Sequence, residues 1–149
     1  MVKLILPFFI TVALVGCSTT NNTGQTQQPL DFKTIHIDNN GSYSGYISSN
    51  EPVESCRKFI LNKAEIITYF KYSRIATSRE YAHDLIASNC YASGSFTMSN
   101  GIEGTWKIDR ARRGLINYNN NASTKYYYCA ECKSELFYEL CDIECIHGQ

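Results

Sequence analysis

The stretch CYASGSFTMSNGIEGTWKI, Cys90 to Ile108, consists of two strand-like runs on either side of Asn100-Gly101. Asn-Gly is the preferred dipeptide of a two-residue type I′ hairpin turn. Side chains alternate across a strand with a period of two. Cys90, Ala92, Gly94, Phe96 and Met98 therefore fall on one face of the first run, and Ile102, Gly104, Trp106 and Ile108 on one face of the second. Trp106 is expected beside Gly94, where the missing side chain leaves room for an indole.

The pattern continues downstream. Arg110 to Gly114 reads as a turn, Leu115 to Tyr118 as a third strand, Asn119-Asn120-Asn121 as another turn and Ser123 to Cys129 as a fourth strand. Upstream, Asp31 to Asp38 alternates around Ile35 and Ile37 and predicts a short first strand. Asn39 to Pro52 is rich in Asn, Gly and Ser and reads as a loop, pinned by Tyr43, Tyr46 and Ile47. Phe59 and Leu61 alternate as in a brief strand. Asn62-Lys63-Ala64-Glu65 has an N-cap residue with glutamate three positions on, which starts a helix from about Lys63 to Ser73 carrying Ile66, Ile67 and Phe70, with the Arg74 stem at matching spacing. Thr77 and Glu80 repeat the signal for a shorter helix, Ser78 to about Asp84, with Tyr81 and Leu85 inward. Leu136, Phe137 and Leu140 have helical spacing in the tail. The expected fold is α+β, an antiparallel β-meander of four or more strands packed with one or two short helices.

The amino terminus has a different character. One positive charge, Lys3, precedes an apolar run from Leu4 to Val15. That is the layout of an export signal. It is too short to span a bilayer, which takes about 20 apolar residues, and Pro7 interrupts it. The run ends Leu14-Val15-Gly16-Cys17, which resembles the lipobox of bacterial lipoproteins. The resemblance implies acylation of the Cys17 thiol, cleavage before Cys17 and acylation of the new amino terminus, with residues 1–16 as signal peptide. Ser18 follows the cysteine. An aspartate there tends to retain such proteins in the inner membrane, so its absence points to the outer membrane, facing the periplasm. Residues 17–30 form the lipidated tether: Ser18 to Pro29 carries no apolar side chain to bury and no charge, and reads as flexible. Residues 31–149 then make one domain by length.

Basic and acidic residues balance at 14 each, so no basic excess points to nucleic acid. Eleven tyrosines suit a β-sheet surface or a tyrosine-lined binding face. Apart from Cys17, the six cysteines are Cys56, Cys90, Cys129, Cys132, Cys141 and Cys145. An even number in an exported domain points to disulfides, with fifteen possible pairings. Cys56 with Cys90 is favoured because both flank one helical region, which leaves the other four to pair among themselves. The spacing Cys129-x2-Cys132…Cys141-x3-Cys145 is also compatible with a four-thiolate zinc site, with His147 and His83 as further ligands. Cys129-Ala130-Glu131-Cys132 has the form of a thioredoxin-type redox pair, but the prolines, Pro7, Pro29 and Pro52, all lie upstream and supply no cis-proline opposite it. Disulfides are the reading adopted, with no metal and no cofactor.

Lys107, Arg110, Arg112 and Arg113 cluster around one turn and form a possible binding surface for an anionic envelope polymer, or a partner for the acidic tail (Glu131, Glu135, Glu139, Asp142, Glu144). His83-Asp84 reads as a capping or loop-bonding pair, because helical neighbours point in different directions. No Ser/His/Asp, paired-carboxylate or phosphate-loop motif is present, so no catalytic residue is assigned.

Ser55-Cys56-Arg57-Lys58-Phe59, Tyr69-Phe70, Glu80 to Asp84, Asn100-Gly101 to Trp106 and Tyr128 to Cys132 together resemble small exported bacterial proteins, which implies a fold and an address but no chemistry. Ala92-Ser93-Gly94 ahead of Trp106-Lys107 resembles the membrane-bound inhibitors of C-type lysozyme, small lipoproteins with an antiparallel β-fold. That resemblance implies that Ser93 and Lys107 contact the sugar-cleaving cleft. The sequence thus supports a membrane-anchored, non-enzymatic binding module for an envelope protein or wall polymer. The alternatives are an inhibitor or immunity protein against a lytic enzyme, and a zinc- or thiol-active periplasmic protein. Cys17→Ser is expected to move the protein from the membrane to the soluble fraction on ultracentrifugation with its circular dichroism unchanged. Retention in the membrane pellet would exclude a lipid anchor.

Overall fold

The computed structural model describes residues 30–48, 50–120 and 123–137. Signal peptide, Cys17, nearly all of the tether, Cys141, Cys145 and His147 lie outside the described residues, as does most of the terminal segment read as helical. The elements are β1 (Phe32–Tyr43), α1 (Val53–Cys56), α2 (Lys63–Tyr72), β2 (Arg74–Ala76), a π-helical turn (Glu80–Asp84), β3 (Cys90–Met98), β4 (Glu103–Asp109), β5 (Arg113–Tyr118) and β6 (Thr124–Tyr128). The six strands form one antiparallel sheet in the order β1-β3-β4-β5-β6-β2. The expected meander is its centre, β3 to β6. The fold is α+β, mostly sheet with little helix.

The two faces of β3 separate as their period demands: its even-numbered residues from Cys90 to Met98 are buried and the odd-numbered ones half-buried. Gly94 pairs with Trp106 across β3 and β4. A Cβ at Gly94 would meet the His36 carbonyl oxygen at 1.9 Å and the Trp106 ring at 3.0 Å. The indole Nε1–H donates to that same His36 oxygen at 3.2 Å. One side chain thus ties three strands together.

The hairpin itself is not type I′. Ser99 and Asn100 form the centre of a turn closed by Gly101 N–H to the Met98 carbonyl, 2.9 Å, and Gly101 adopts φ +83°. The Met98 N–H then donates to Ile102 O at 2.8 Å. This is a three-residue loop with one left-handed residue. Asn100 keeps negative φ and uses its side chain to accept the Ile102 N–H, 3.1 Å, so the glycine alone supplies the conformation that both residues of a type I′ turn would need.

Strand β1 runs well past the expected end at Asp38. The turn-forming Asn39-Asn40-Gly41 segment stays in the sheet because pairing with β3 continues to Tyr43↔Cys90, with irregular register at Ile37/Asn39 and Asn39/Ser42 absorbing the extra residues. Asn40 grips the backbone of Leu61 from both sides, Oδ1 accepting its N–H at 2.9 Å and Nδ2 donating to its carbonyl at 2.8 Å. That grip explains why Phe59 and Leu61 are buried without forming a strand.

Helix α2 starts at the expected capping box, Asn62 accepting from Glu65 N–H and Glu65 reaching back to Asn62 N–H. It covers one sheet face with Ile66, Tyr69 and Phe70, while Ile67 faces solvent and Arg74 belongs to β2. The Tyr69 ring lies against Gly114, and Phe70 packs edge-on against Tyr127. Thr77 and Glu80 form the second expected capping pair, although the helix it opens tightens no further than a π-helical turn.

Two disulfides are present among the described residues. Cys56–Cys90, Cα atoms 4.8 Å apart, fastens α1 to the start of β3. Cys129–Cys132, 5.4 Å apart, closes a turn after β6. Chain entropy gives roughly 4 kcal/mol for the first, which closes a long loop, and roughly 2 kcal/mol for the second.

Gly94→Ala must push a β-carbon into the β1 backbone, since neither neighbour is the free end of a flexible chain. It is expected to destabilise the domain by about 2 kcal/mol or more, read as a fall of several degrees in the midpoint of thermal unfolding followed by near-ultraviolet circular dichroism.

Candidate functional site

One face of the sheet is filled by α2 and the loops around it. The other carries polar side chains set out by the strand register. His36, Ser95, Thr105, Asn117 and Thr124 form one cross-strand row over five strands. The next row is Asn39, Ser93, Lys107, Leu115, Tyr126 and Ala76. His36, Asn39, Thr105, Asn117 and Thr124 are exposed, and Ser93, Ser95, Lys107 and Tyr126 half-buried. Thr124 donates to Asn117 at 2.6 Å and Asn39 donates to Ser93 at 3.2 Å. The Lys107 ammonium lies 4.1 Å above the Tyr91 ring, a cation–π contact. Partial burial holds it below the usual lysine range, offset in part by Asp109.

Beyond these rows the face is roofed. Asp109 is 3% exposed, and its carboxylate accepts from Arg113 Nε and pairs with Nη2, both at 2.8 Å, and from the Arg113 N–H at 3.1 Å. Arg113 Nη1 donates to the Tyr81 carbonyl at 2.7 Å, and its guanidinium sits 4.5 Å from the Tyr81 ring, which packs on Tyr126. The π-helical turn therefore exists to cap a buried ion pair, with Tyr81 inward as expected. Burial pushes the Asp109 carboxyl up to about 6 against the pull of Arg113, and pushes the Tyr81 phenol up to about 12. Next to this pair, Glu51 accepts from Ser88 Oγ and Asn89 N–H at 2.8 Å and lies 4.0 Å from Arg110. Asn89, fully buried, holds the Ser44–Ile47 loop through its side-chain amide.

The basic turn is thus not one surface. Arg113 is consumed by Asp109. Arg112 is buried at φ +69°, its carbonyl accepting from Tyr69 Oη at 3.0 Å and Cys129 N–H at 3.1 Å, its Nη1 donating to Ala130 O at 3.4 Å. Burial holds the Tyr69 phenol well above its ordinary range. Lys107 and Arg110 alone of the four keep solvent contact. The cluster broke up because Arg113 stands four residues after Asp109 across a tight turn, a pairing that charge counting does not reveal.

Ser93 and Lys107, by contrast, are brought together as direct cross-strand partners. His83 and Asp84 are exposed on the π-helical turn. Cys129 and Cys132 are joined to each other, so neither is available as a thiolate while that bond stands, and among the described residues no group of three or more His, Cys, Asp or Glu is placed to hold a metal ion. Asp109, Glu51 and Asn89 went unmarked in the sequence; only the i, i+4 spacing of Asp109 and Arg113 carries a local signal.

Comparison with known proteins yields no match: no family model fits the chain, and no curated protein and no solved structure is significantly similar to it.

The Asp109 carboxyl binds its proton more tightly in the folded chain than in the unfolded one, whose value is about 3.9. Its contribution to stability is therefore fullest below about pH 4 and is lost as pH rises through about 6. Asp109→Asn lacks that titration. Urea unfolding at pH 4, 5, 6 and 7 should show the stability difference moving in the variant's favour as pH rises; movement the other way would mean that Arg113 outweighs burial.

Proposed function

We propose that this protein is a lipid-anchored envelope protein whose domain binds a partner, a wall polymer or another envelope protein, on the solvent face of its sheet and without catalysis. The observation that carries the reading is the five-strand row His36-Ser95-Thr105-Asn117-Thr124 beside the Lys107–Tyr91 contact. Neighbouring strands stand about 4.8 Å apart, so the row offers a regularly spaced set of hydrogen-bond donors and acceptors. The carboxylates of Asp109 and Glu51 are engaged with Arg113, Ser88 and Asn89 beneath the roof.

The lipobox sequence supports attachment to the outer membrane facing the periplasm, and the oxidised cysteines suit that compartment. The tether joins the sheet at Asp31, whose carbonyl accepts from Ser99 N–H at the β3–β4 hairpin.

A second reading, inhibition of a lytic enzyme, is favoured by one observation: Ser93 and Lys107, the pair that the lysozyme-inhibitor resemblance singles out, are adjacent on this open face.

Both readings are tested on the protein with Thr105→Arg and Asn117→Arg, which crowd the row at exposed positions without touching the core. Co-sedimentation with isolated wall sacculi is expected for the unsubstituted protein and is expected to drop at least tenfold in the double variant. Equal sedimentation of the two would remove the sheet face from the proposal. Inhibition of C-type lysozyme, abolished by Ser93→Ala with Lys107→Ala, would select the second reading instead.

A further inference from the structure

We propose that Cys129–Cys132 is a thiol-exchange site that accepts electrons from an exported polypeptide carrying two thiols, whereas Cys56–Cys90 is structural. This goes beyond the binding role and rests on the proposed reading only for the export of the chain. The two bonds differ in their surroundings. Cys56 and Cys90 are both fully buried between α1, β1 and β3. In the second bond only Cys129 is fully buried; Cys132 is half-buried, and Ala130, Glu131 and Lys133 around it are exposed. Of these four cysteines Cys132 alone keeps solvent exposure, at the rim of the core, so it is the side from which an incoming thiolate would approach.

Arg112 supplies the second observation. It is 4% exposed and holds the loop between the cysteines at two points, its carbonyl accepting the Cys129 N–H and its Nη1 donating to the Ala130 carbonyl. A guanidinium keeps its charge when buried. Its guanidinium reaches the loop between the two cysteines at the Ala130 carbonyl, and Glu131 and Lys133 of that loop are exposed. A buried thiolate is stabilised by such a cation.

The chemistry follows from this asymmetry. A partner thiolate attacks Cys132 Sγ, the Cys129–Cys132 bond breaks, a mixed disulfide forms on Cys132, and the electron pair leaves on Cys129 as a thiolate at the end of the loop that Arg112 braces. The partner's second thiolate then attacks its own sulfur in the mixed disulfide. The partner's disulfide forms and Cys132 leaves as the second thiolate. Two electrons have moved from the partner dithiol to this chain, and the two protons released by the partner are available to the two new cysteine thiolates. Arg112 acts through Cys129 as a positioning residue.

The test equilibrates the oxidised, acylated protein in glutathione buffers without denaturant, traps free thiols by alkylation and locates them by peptide mass spectrometry. Cys129 and Cys132 should become half-reduced together at a reduced-to-oxidised ratio at least about tenfold below that needed for Cys56 and Cys90, with circular dichroism still native. Cys129→Ser should carry glutathione on Cys132. Arg112→Met should raise the ratio required at Cys129–Cys132 several-fold without moving that of Cys56–Cys90, and Arg112→Lys should restore much of it. Reduction of both bonds only together with loss of structure would overturn the proposal. So would a native bond from Cys132 to Cys141 or Cys145, or the absence of any adduct on Cys132. The titration of the unsubstituted protein decides the site even if Arg112→Met does not fold.

Discussion

The sheet depends on a glycine that lets two backbones and an indole meet. At Gly94 the β3 main chain lies so close to the His36 carbonyl that no side chain fits, and the space above is taken by Trp106 from β4, whose N–H satisfies that carbonyl. An indole buried without a partner for its N–H costs free energy. Here the donor finds an oxygen on the strand that its own ring helps to press into register. The contact therefore fixes β1 against β3 and β3 against β4 at one point. Everything beyond, from the irregular register of β1 to the even spacing of polar residues on the open face, is set relative to it.

Around that point the molecule sorts its charges inward at one end and leaves hydroxyl and amide side chains to make up most of the two cross-strand rows. Asp109, Arg113 and Glu51 are almost fully covered, roofed by Tyr81, Ser88 and Asn89. Burying an ion pair is rarely a net gain in stability, because desolvation offsets the attraction. The raised Asp109 carboxyl expresses that balance. What the pair does supply is position: Arg113 reaches the Tyr81 carbonyl and ring, and so holds the π-helical turn down on the sheet. The roof is fixed by directed bonds and not by apolar area alone, which is why this segment can close over a polar interior.

The sequence made some of this legible and left other parts hidden, for physical reasons that differ. Alternation along Cys90–Ile108 specified both faces and the Gly94–Trp106 contact, because side-chain direction in a strand is a local property. The capping boxes at Asn62–Glu65 and Thr77–Glu80 were legible for the same reason, and Cys56–Cys90 because one helical region lies between them. Strand β2 was not, since three residues at the far edge gain their strand character only from Tyr126–Tyr128 across the sheet. The extension of β1 through Asn39-Asn40-Gly41 was hidden because long-range pairing with β3 and the grip of Asn40 on Leu61 override a turn-like composition. The basic turn misled most: Arg112 and Arg113 look solvated in a list of charges, yet one braces the Cys129–Cys132 loop and the other balances Asp109.

That misreading bears on what the open face is suited to recognise. Had all four basic residues been exposed, electrostatic attraction to an anionic polymer would have been the natural mode. With Arg113 neutralised and Arg112 enclosed, the basic turn contributes Lys107, itself partly desolvated against Tyr91, with Arg110 at the rim beside Glu51. Long-range attraction of this kind is weakened by salt within about 8–10 Å. A row of hydroxyl and amide groups at fixed strand spacing is not, since hydrogen bonds act at contact. If the open face binds a partner as proposed, the arrangement suits a ligand read by short-range hydrogen bonds across several strands, with Lys107 and Tyr91 at one border and the Tyr81–Arg113 roof at the other.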